Sequence, residues 1–96
     1  MAERATPKRY FFSYRSAMTE LSISRRTLQR WIDDMEISPL EFPDHLKVFL
    51  TLPQMDTLRE YSKVMHTRNN SLINRYRKAV VTGNARMLAK IRKELP

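Results

Sequence analysis

The chain has 96 residues, no cysteine and a net charge of +8 at pH 7. Its length suits one domain, and its hydrophobic content of 42% argues against full disorder. The lack of cysteine excludes disulfides, thiolate zinc sites and a cysteine nucleophile, and it fits a reducing cytosol. We find no apolar run long enough to cross a bilayer and no signal-peptide core, so we expect a cytoplasmic protein.

Catalytic and metal sites are not indicated by the residue types present. The two histidines, His45 and His66, are far apart in the sequence, so we expect no metal site. No nucleophile and base occur at a catalytic spacing, and there is no glycine-rich phosphate loop or paired acidic motif. We therefore expect a protein that is not an enzyme and needs no cofactor.

Charge is distributed unevenly along the chain. Residues 1–31 contain 7 basic and 2 acidic side chains, residues 32–62 contain 2 and 7, and residues 63–96 contain 9 and 1. Two basic ends that flank an acidic middle favour a polyanionic partner that is contacted by two separate segments. The alternative is a basic surface that only keeps the protein in solution.

The first 35 residues contain signals for an arm and two short helices. Residues 1–9 are charged and almost without apolar side chains, which is typical of a flexible basic arm. The aromatic residues 10–12 form either a brief strand or an anchoring segment. Ser13 is placed to cap a helix over Tyr14–Leu21, and Ser24 is placed to cap a second helix that runs to about Met35. Two helices joined in this way have the proportions of a helix-turn-helix, with Ser22 where a glycine is usual.

The remaining residues predict a hairpin and further helices. Two prolines interrupt residues 36–50, where Pro43 and Asp44 suit the turn of a small hairpin, or wing. A capping box formed by Thr51 and Gln54 predicts a helix over Leu52–His66. Residues 71–95 form two short amphipathic helices, or one longer helix that is interrupted near Gly83.

The second predicted helix has an apolar and a charged face. At about 100° per residue, one side collects Leu28, Trp31, Ile32 and Met35, and the opposite side collects Arg26, Gln29, Arg30 and Asp33. Arginines in the first turn and aspartates in the last turn oppose the helix dipole, at a cost of about 0.3–1 kcal/mol. An anion near the first turn reverses that cost, so the pattern favours a phosphate ligand over plain solvation. We expect Trp31 to pack in the core rather than stack on bases.

At these residues the chain resembles a known family. The stretches "SYRSAMTELSISRRTLQRWIDDMEISP" and "VFLTLPQMDTL" are similar to the DNA-binding domain of MerR-type regulators and of related excisionase-like winged helices. The resemblance covers about residues 10–68. It implies that the recognition helix contacts DNA through Ser24, Arg25, Arg26, Gln29 and Arg30. It also implies a wing contact from Lys47.

These signals together predict a mostly α-helical chain in three parts. They are a flexible basic arm (1–9), a MerR-like winged helix-turn-helix domain with a short β wing (10–68) and a basic amphipathic helical tail (71–96). In the tail we expect Arg75, Arg77 and Lys78 to add phosphate contacts. The apolar stripe of the tail packs as core or forms the face of a homodimer, and adsorption of the tail to an anionic membrane is the least favoured alternative.

The predicted function is sequence-specific or architectural binding of double-stranded DNA. The roles that fit are a small transcriptional regulator, a recombination directionality factor or a nucleoid-associated DNA-organising protein. We expect no small-molecule effector, because the resemblance leaves no effector domain in this chain. The alternative is a protein-interaction module that docks into a larger nucleic-acid machine. RNA is disfavoured, because exposed aromatic residues for stacking are not evident in the sequence.

Overall fold

The computed structural model of the protein describes residues 11–42 and 48–95. These residues form a mostly helical fold with a small antiparallel sheet, which confirms the coarse fold class. The strands are β1 (Phe11–Ser13), β2 (Leu40–Glu41) and β3 (Val48–Thr51). The helices are α1 (Tyr14–Leu21), α2 (Arg25–Asp34), α3 (Leu52–His66), α4 (Asn70–Thr82) and α5 (Ala85–Glu94).

Each of these helices begins at a polar side chain that accepts a hydrogen bond from the backbone three residues further on. The predicted caps Ser13, Ser24 and Thr51 are confirmed, and the capping box between Thr51 and Gln54 is complete. α4 begins at Asn70 rather than Ser71, because the Asn69 side chain accepts from the backbone of Leu72 at 3.2 Å. A cap satisfies backbone N–H groups that have no partner inside the helix, so it fixes where the helix begins.

The strands form one sheet in the order β1-β3-β2, and both pairings are antiparallel. β2 and β3 are thus antiparallel neighbours, as the predicted hairpin requires. The predicted turn at Pro43 and Asp44 lies outside the described residues, and so does Lys47. Phe12 and Leu50 face each other across β1 and β3 and are both buried, so this face of the sheet packs on the helices.

One hydrophobic core receives side chains from the sheet and from each of the described helices. The predicted apolar face of α2 is confirmed as buried, Trp31 included. At the centre, the Trp31 ring meets the Tyr61 ring edge to face at 5.1 Å between centroids, and Tyr61 stacks on Tyr76 at 5.7 Å. This aromatic column joins α2, α3 and α4. The apolar stripe of α4 is therefore core, which is one of the three alternatives left open by the sequence.

Ser22 ends α1 in the left-handed region, with φ 54° and ψ 47°. This conformation costs a residue with a Cβ roughly 1–2 kcal/mol, and glycine adopts it without that cost. The turn brings the Ile23 N–H to the Met18 carbonyl at 3.1 Å, which closes α1 and starts the approach to α2.

We expect Ser22→Gly to raise the free energy of unfolding by about 0.5–1 kcal/mol, since the relief of strain exceeds the added flexibility of the unfolded chain. Urea denaturation followed by circular dichroism measures the change. Ser22→Val is the opposing control, because a β-branched side chain fits this conformation poorly and must lower the midpoint. An unchanged midpoint for both variants would contradict the argument.

A charged network fastens α5 to α3. Arg92 donates to Glu60 through Nε at 2.6 Å and through a terminal nitrogen at 3.0 Å, and the buried Tyr76 hydroxyl donates to the same carboxylate at 2.9 Å. The Arg92 guanidinium, helped by the Tyr76 hydroxyl, holds the pKa of the Glu60 carboxyl below its usual range. Burial and the Glu60 charge raise the pKa of Tyr76, so that hydroxyl stays protonated.

The lowered pKa of Glu60 makes this network dependent on pH. Its contribution to stability is present above the unfolded pKa of about 4.5 and is lost as the pH falls through the lower pKa of the folded state. We expect Glu60→Gln to lower the melting temperature at pH 7, with a smaller difference from wild type at pH 3. Thermal denaturation of both proteins at the two pH values tests this. A difference that stays constant between the two pH values would exclude the charged form of Glu60 as its source.

Candidate nucleic-acid interface

The N-terminal turn of α2 presents two arginines next to its cap. The Ser24 hydroxyl accepts from the Thr27 backbone at 3.1 Å and donates to the Thr27 hydroxyl at 3.1 Å. α2 therefore begins at Arg25, and Arg25 and Arg26 lie in its first turn. Both side chains are exposed, and the first turn contains no acidic residue. The backbone N–H groups and the guanidinium groups here make a surface with positive potential.

Arg26 and Arg30 lie one helical turn apart on the exposed side of α2. Neither guanidinium forms a salt bridge or hydrogen bond with any residue in 11–42 or 48–95. Like charges at this spacing repel each other, and Arg26 also opposes the helix dipole. The fold of the described residues thus keeps two cations together without neutralising them.

Arg25 lies on the flank of α2 that faces α1, and Gln29 follows it one helical turn later. The Arg25 guanidinium lies 5.5 Å from the centre of the Tyr14 ring, which fits a cation–π contact. Burial raises the pKa of the Tyr14 hydroxyl, although the Arg25 charge acts in the opposite direction. The Gln29 side-chain amide donates to Asp33 at 3.0 Å. Contacts with α1 and Asp33 thus orient both side chains while leaving them exposed.

The C-terminal end of α2 is tied to α4. A terminal nitrogen of Arg77 lies 3.3 Å from the Asp34 carboxylate, and Arg77 Nε donates to the Tyr61 hydroxyl at 2.6 Å. Asp34, whose position opposes the helix dipole, is therefore compensated by a tertiary ion pair. This explains the position of Asp34 without any ligand, whereas Asp33 accepts a hydrogen bond from Gln29 and has no ion pair among the described residues. The arginines at the start of α2 likewise have no carboxylate partner among the described residues.

The predicted site residues separate into four groups. α2 brings together Ser24, Arg25, Arg26, Gln29 and Arg30 on its exposed side. The predicted tail contacts Arg75 and Arg77 are both engaged within the chain, since Arg75 makes two hydrogen bonds of 2.9 Å to Glu94 on α5. Lys78 is exposed and has no ion-pair partner among the described residues. Lys47, the predicted wing contact, falls outside the described residues.

The outer face of the sheet carries aromatic residues that the sequence interpretation did not single out. Phe42 meets Phe11 and Phe49 edge to face at 5.6 and 5.5 Å between centroids. Phe11 is 47% exposed, and Leu40, which pairs with Phe49, is 38% exposed. Successive side chains of a strand point to opposite faces of the sheet, so Phe12 points inward and Phe11 outward. This alternation predicts the exposed aromatic face once residues 11–13 are assigned to a strand.

Other kinds of site have less support in the described parts of the chain. No group of three or more histidine, aspartate or glutamate residues lies close enough within 11–42 and 48–95 to hold a metal ion. None of the helices in these ranges has both the length and the apolar character needed to span a membrane. A cavity of about 280 Å³ lies between the α1–α2 turn and the end of α3, where Ile23, His66 and Arg68 line it.

Comparison with known proteins gives no relative for this chain: no family model, curated protein or solved structure matches it.

Proposed function

We propose that the chain is a small winged helix-turn-helix protein that binds double-stranded DNA in the manner of the MerR-type domain it resembles. In this proposal α1 and α2 are the helix-turn-helix, α2 is the recognition helix, and the hairpin of β2 and β3 is the wing. The fold supports the proposal because α2 buries one face, which packs on α1 and reaches Tyr61 of α3 through Trp31, and exposes the other face.

The observation that carries the proposal is the difference between paired and unpaired arginines. Arg59, Arg75, Arg77 and Arg92 each contact a carboxylate of this chain. Arg26 and Arg30 have no such partner among the described residues and lie on the exposed face of α2. Arg26 lies at the start of the helix, next to free N–H groups, and an unneutralised cation there is suited to a phosphate.

The exposed residues of α2 have distinct roles in this proposal. Arg25 and Arg26, next to the helix start, bind the phosphate backbone and set the register of α2 on the duplex. Gln29 and Arg30, further along, face base edges in the major groove, where arginine recognises guanine and glutamine recognises adenine. Gln29 can contact a base in one of two ways. Its amide releases Asp33 and bonds to the base instead, or Gln29 and Asp33 contact the base edges together.

Titration of a mixed-sequence duplex at two salt concentrations tests the proposal. The two phosphate contacts from α2, those of Arg25 and Arg26, predict that the logarithm of the binding constant falls with the logarithm of salt with a slope of about −2. Selection of bound sequences from a random duplex pool then reports whether binding is specific. Affinity that is absent, or that is insensitive to salt, would exclude this function.

A protein-interaction module is the second candidate, and the outer face of the sheet favours it. Phe11 and Leu40 are apolar and exposed, and they adjoin the aromatic contacts of Phe42. Exposed apolar patches often mark protein contacts. This candidate would be supported over DNA binding if the wild type captures a protein partner but binds no duplex, and if Phe11→Ser no longer captures that partner.

A further inference from the structure

The exposed face of α5 carries three cations, and the acid beside them, Glu94, is bound by Arg75. Arg86, Lys90 and Lys93 recur at helical spacing and are all exposed. None of them forms a salt bridge with a residue in the described ranges. The two charged residues on the flanks of α5 are occupied, since Arg92 binds Glu60 and Glu94 binds Arg75. The cations that remain therefore form a surface of one sign.

α4 separates this cationic face from that of α2. Arg75 and Arg77 are two residues apart on α4, so their side chains leave the helix about 160° apart. Arg77 reaches Asp34 on α2, and Arg75 reaches Glu94 on α5. α2 and α5 thus lie on opposite flanks of α4, and each is tied to α4 by its own ion pair.

We propose that the α5 face binds a second segment of double-stranded DNA, so that one molecule joins two duplex segments. This inference rests on the proposed DNA binding by α2. Arg86 and Lys93 are about 10 Å apart along α5, and one DNA strand presents about three phosphates over that length, at 3.4 Å each. Three cations at this spacing complement a phosphate backbone, because the carboxylate beside them, Glu94, is already bound by Arg75.

A capture assay measures this bridging directly. One duplex of about 12 base pairs, which spans close to the 42 Å length of the described fold, is immobilised, and a labelled duplex of the same length is added in solution with the protein. We expect wild type to capture the labelled duplex. Arg86→Gln/Lys90→Gln is expected to reduce capture at least about fivefold, while its affinity for a single duplex stays within about twofold of wild type.

The matched control is Arg15→Gln/Lys63→Gln, which removes one exposed arginine and one exposed lysine from α1 and α3. This control is expected to leave capture and affinity within about twofold of wild type. Equal losses in both double variants would overturn the proposal, because net charge rather than the α5 face would then explain capture. Circular dichroism of each variant tests whether it is folded.

The outcomes separate this inference from the proposed function. A wild type that binds one duplex with salt-sensitive affinity but captures no second duplex overturns the inference and leaves DNA binding by α2 intact. Capture that survives Arg86→Gln/Lys90→Gln also overturns it, because bridging then uses another face or a dimer. A wild type that binds no duplex overturns both. Loss of capture in the α5 variant alone supports the second DNA contact.

Discussion

Arg26→Gln/Arg30→Gln is expected to weaken duplex binding at least about tenfold at low salt. Each arginine that contacts a phosphate or a base edge contributes roughly 1–3 kcal/mol, and every 1.4 kcal/mol is about a factor of ten in affinity. The salt slope is expected to become shallower by about 0.9 for each phosphate that the variant no longer neutralises. Fluorescence titration at two or more salt concentrations measures both quantities.

The same double variant is expected to fold as well as the wild type. Neither guanidinium has an ion-pair partner among the described residues, and its removal relieves repulsion between neighbours. The melting temperature should therefore stay the same or rise slightly. Arg15→Gln/Lys63→Gln removes an equal charge elsewhere and should retain nearly full affinity. Wild-type affinity in the α2 variant would remove α2 from the DNA interface.

Tyr61→Ala is expected to cost about 3–5 kcal/mol of unfolding free energy, as large aromatic truncations in cores do. Tyr61 is fully buried between Trp31 and Tyr76, and its hydroxyl accepts from Arg77. A domain of this size has only about 5–15 kcal/mol in total, so the variant loses much of its stability. Urea denaturation followed by circular dichroism and by the fluorescence of Trp31, the single tryptophan, measures the loss.

Tyr61→Phe is the matched control, because it keeps both ring contacts and removes only the hydrogen bond with Arg77. We expect it to cost about 0.5–1.5 kcal/mol. If α4 and α5 share the core with α2, the two probes give coincident transitions in every variant. A Trp31 signal that is unaffected while helical content falls would instead indicate that residues 71–96 unfold as a separate unit.

The local elements of this fold were predictable from sequence, because their signals lie within three or four residues of each other. The caps at Ser13, Ser24 and Thr51 and the limits of α1 and α3 follow from side chains that reach their own backbone. The buried face of α2 follows from helical periodicity. The predicted start of α4, Ser71, lies one residue after the observed start, because Asn69 and Asn70 both suit a cap.

The candidate site was predictable only in part. The sequence grouped the exposed residues of α2 correctly, since a single helix places them on one side. It did not distinguish Arg77 from Arg26, because the carboxylate that binds Arg77 belongs to Asp34 on another helix. It assigned residues 10–12 to a brief strand or an anchoring segment but did not predict that the Phe11 ring is exposed, because that exposure depends on the pairing of β1 with β3.

By itself, the sequence determined where α1, α2 and α3 begin, which face of α2 is apolar and how many positive charges the chain carries. Only the tertiary structure decided which of those charges are free. Asp34 and Glu60 in the acidic middle bind Arg77 and Arg92 from the basic end, so part of the charge asymmetry is neutralised inside the fold. The physical reason is that an ion pair depends on distance in space, and chain folding brings together groups that are far apart in sequence.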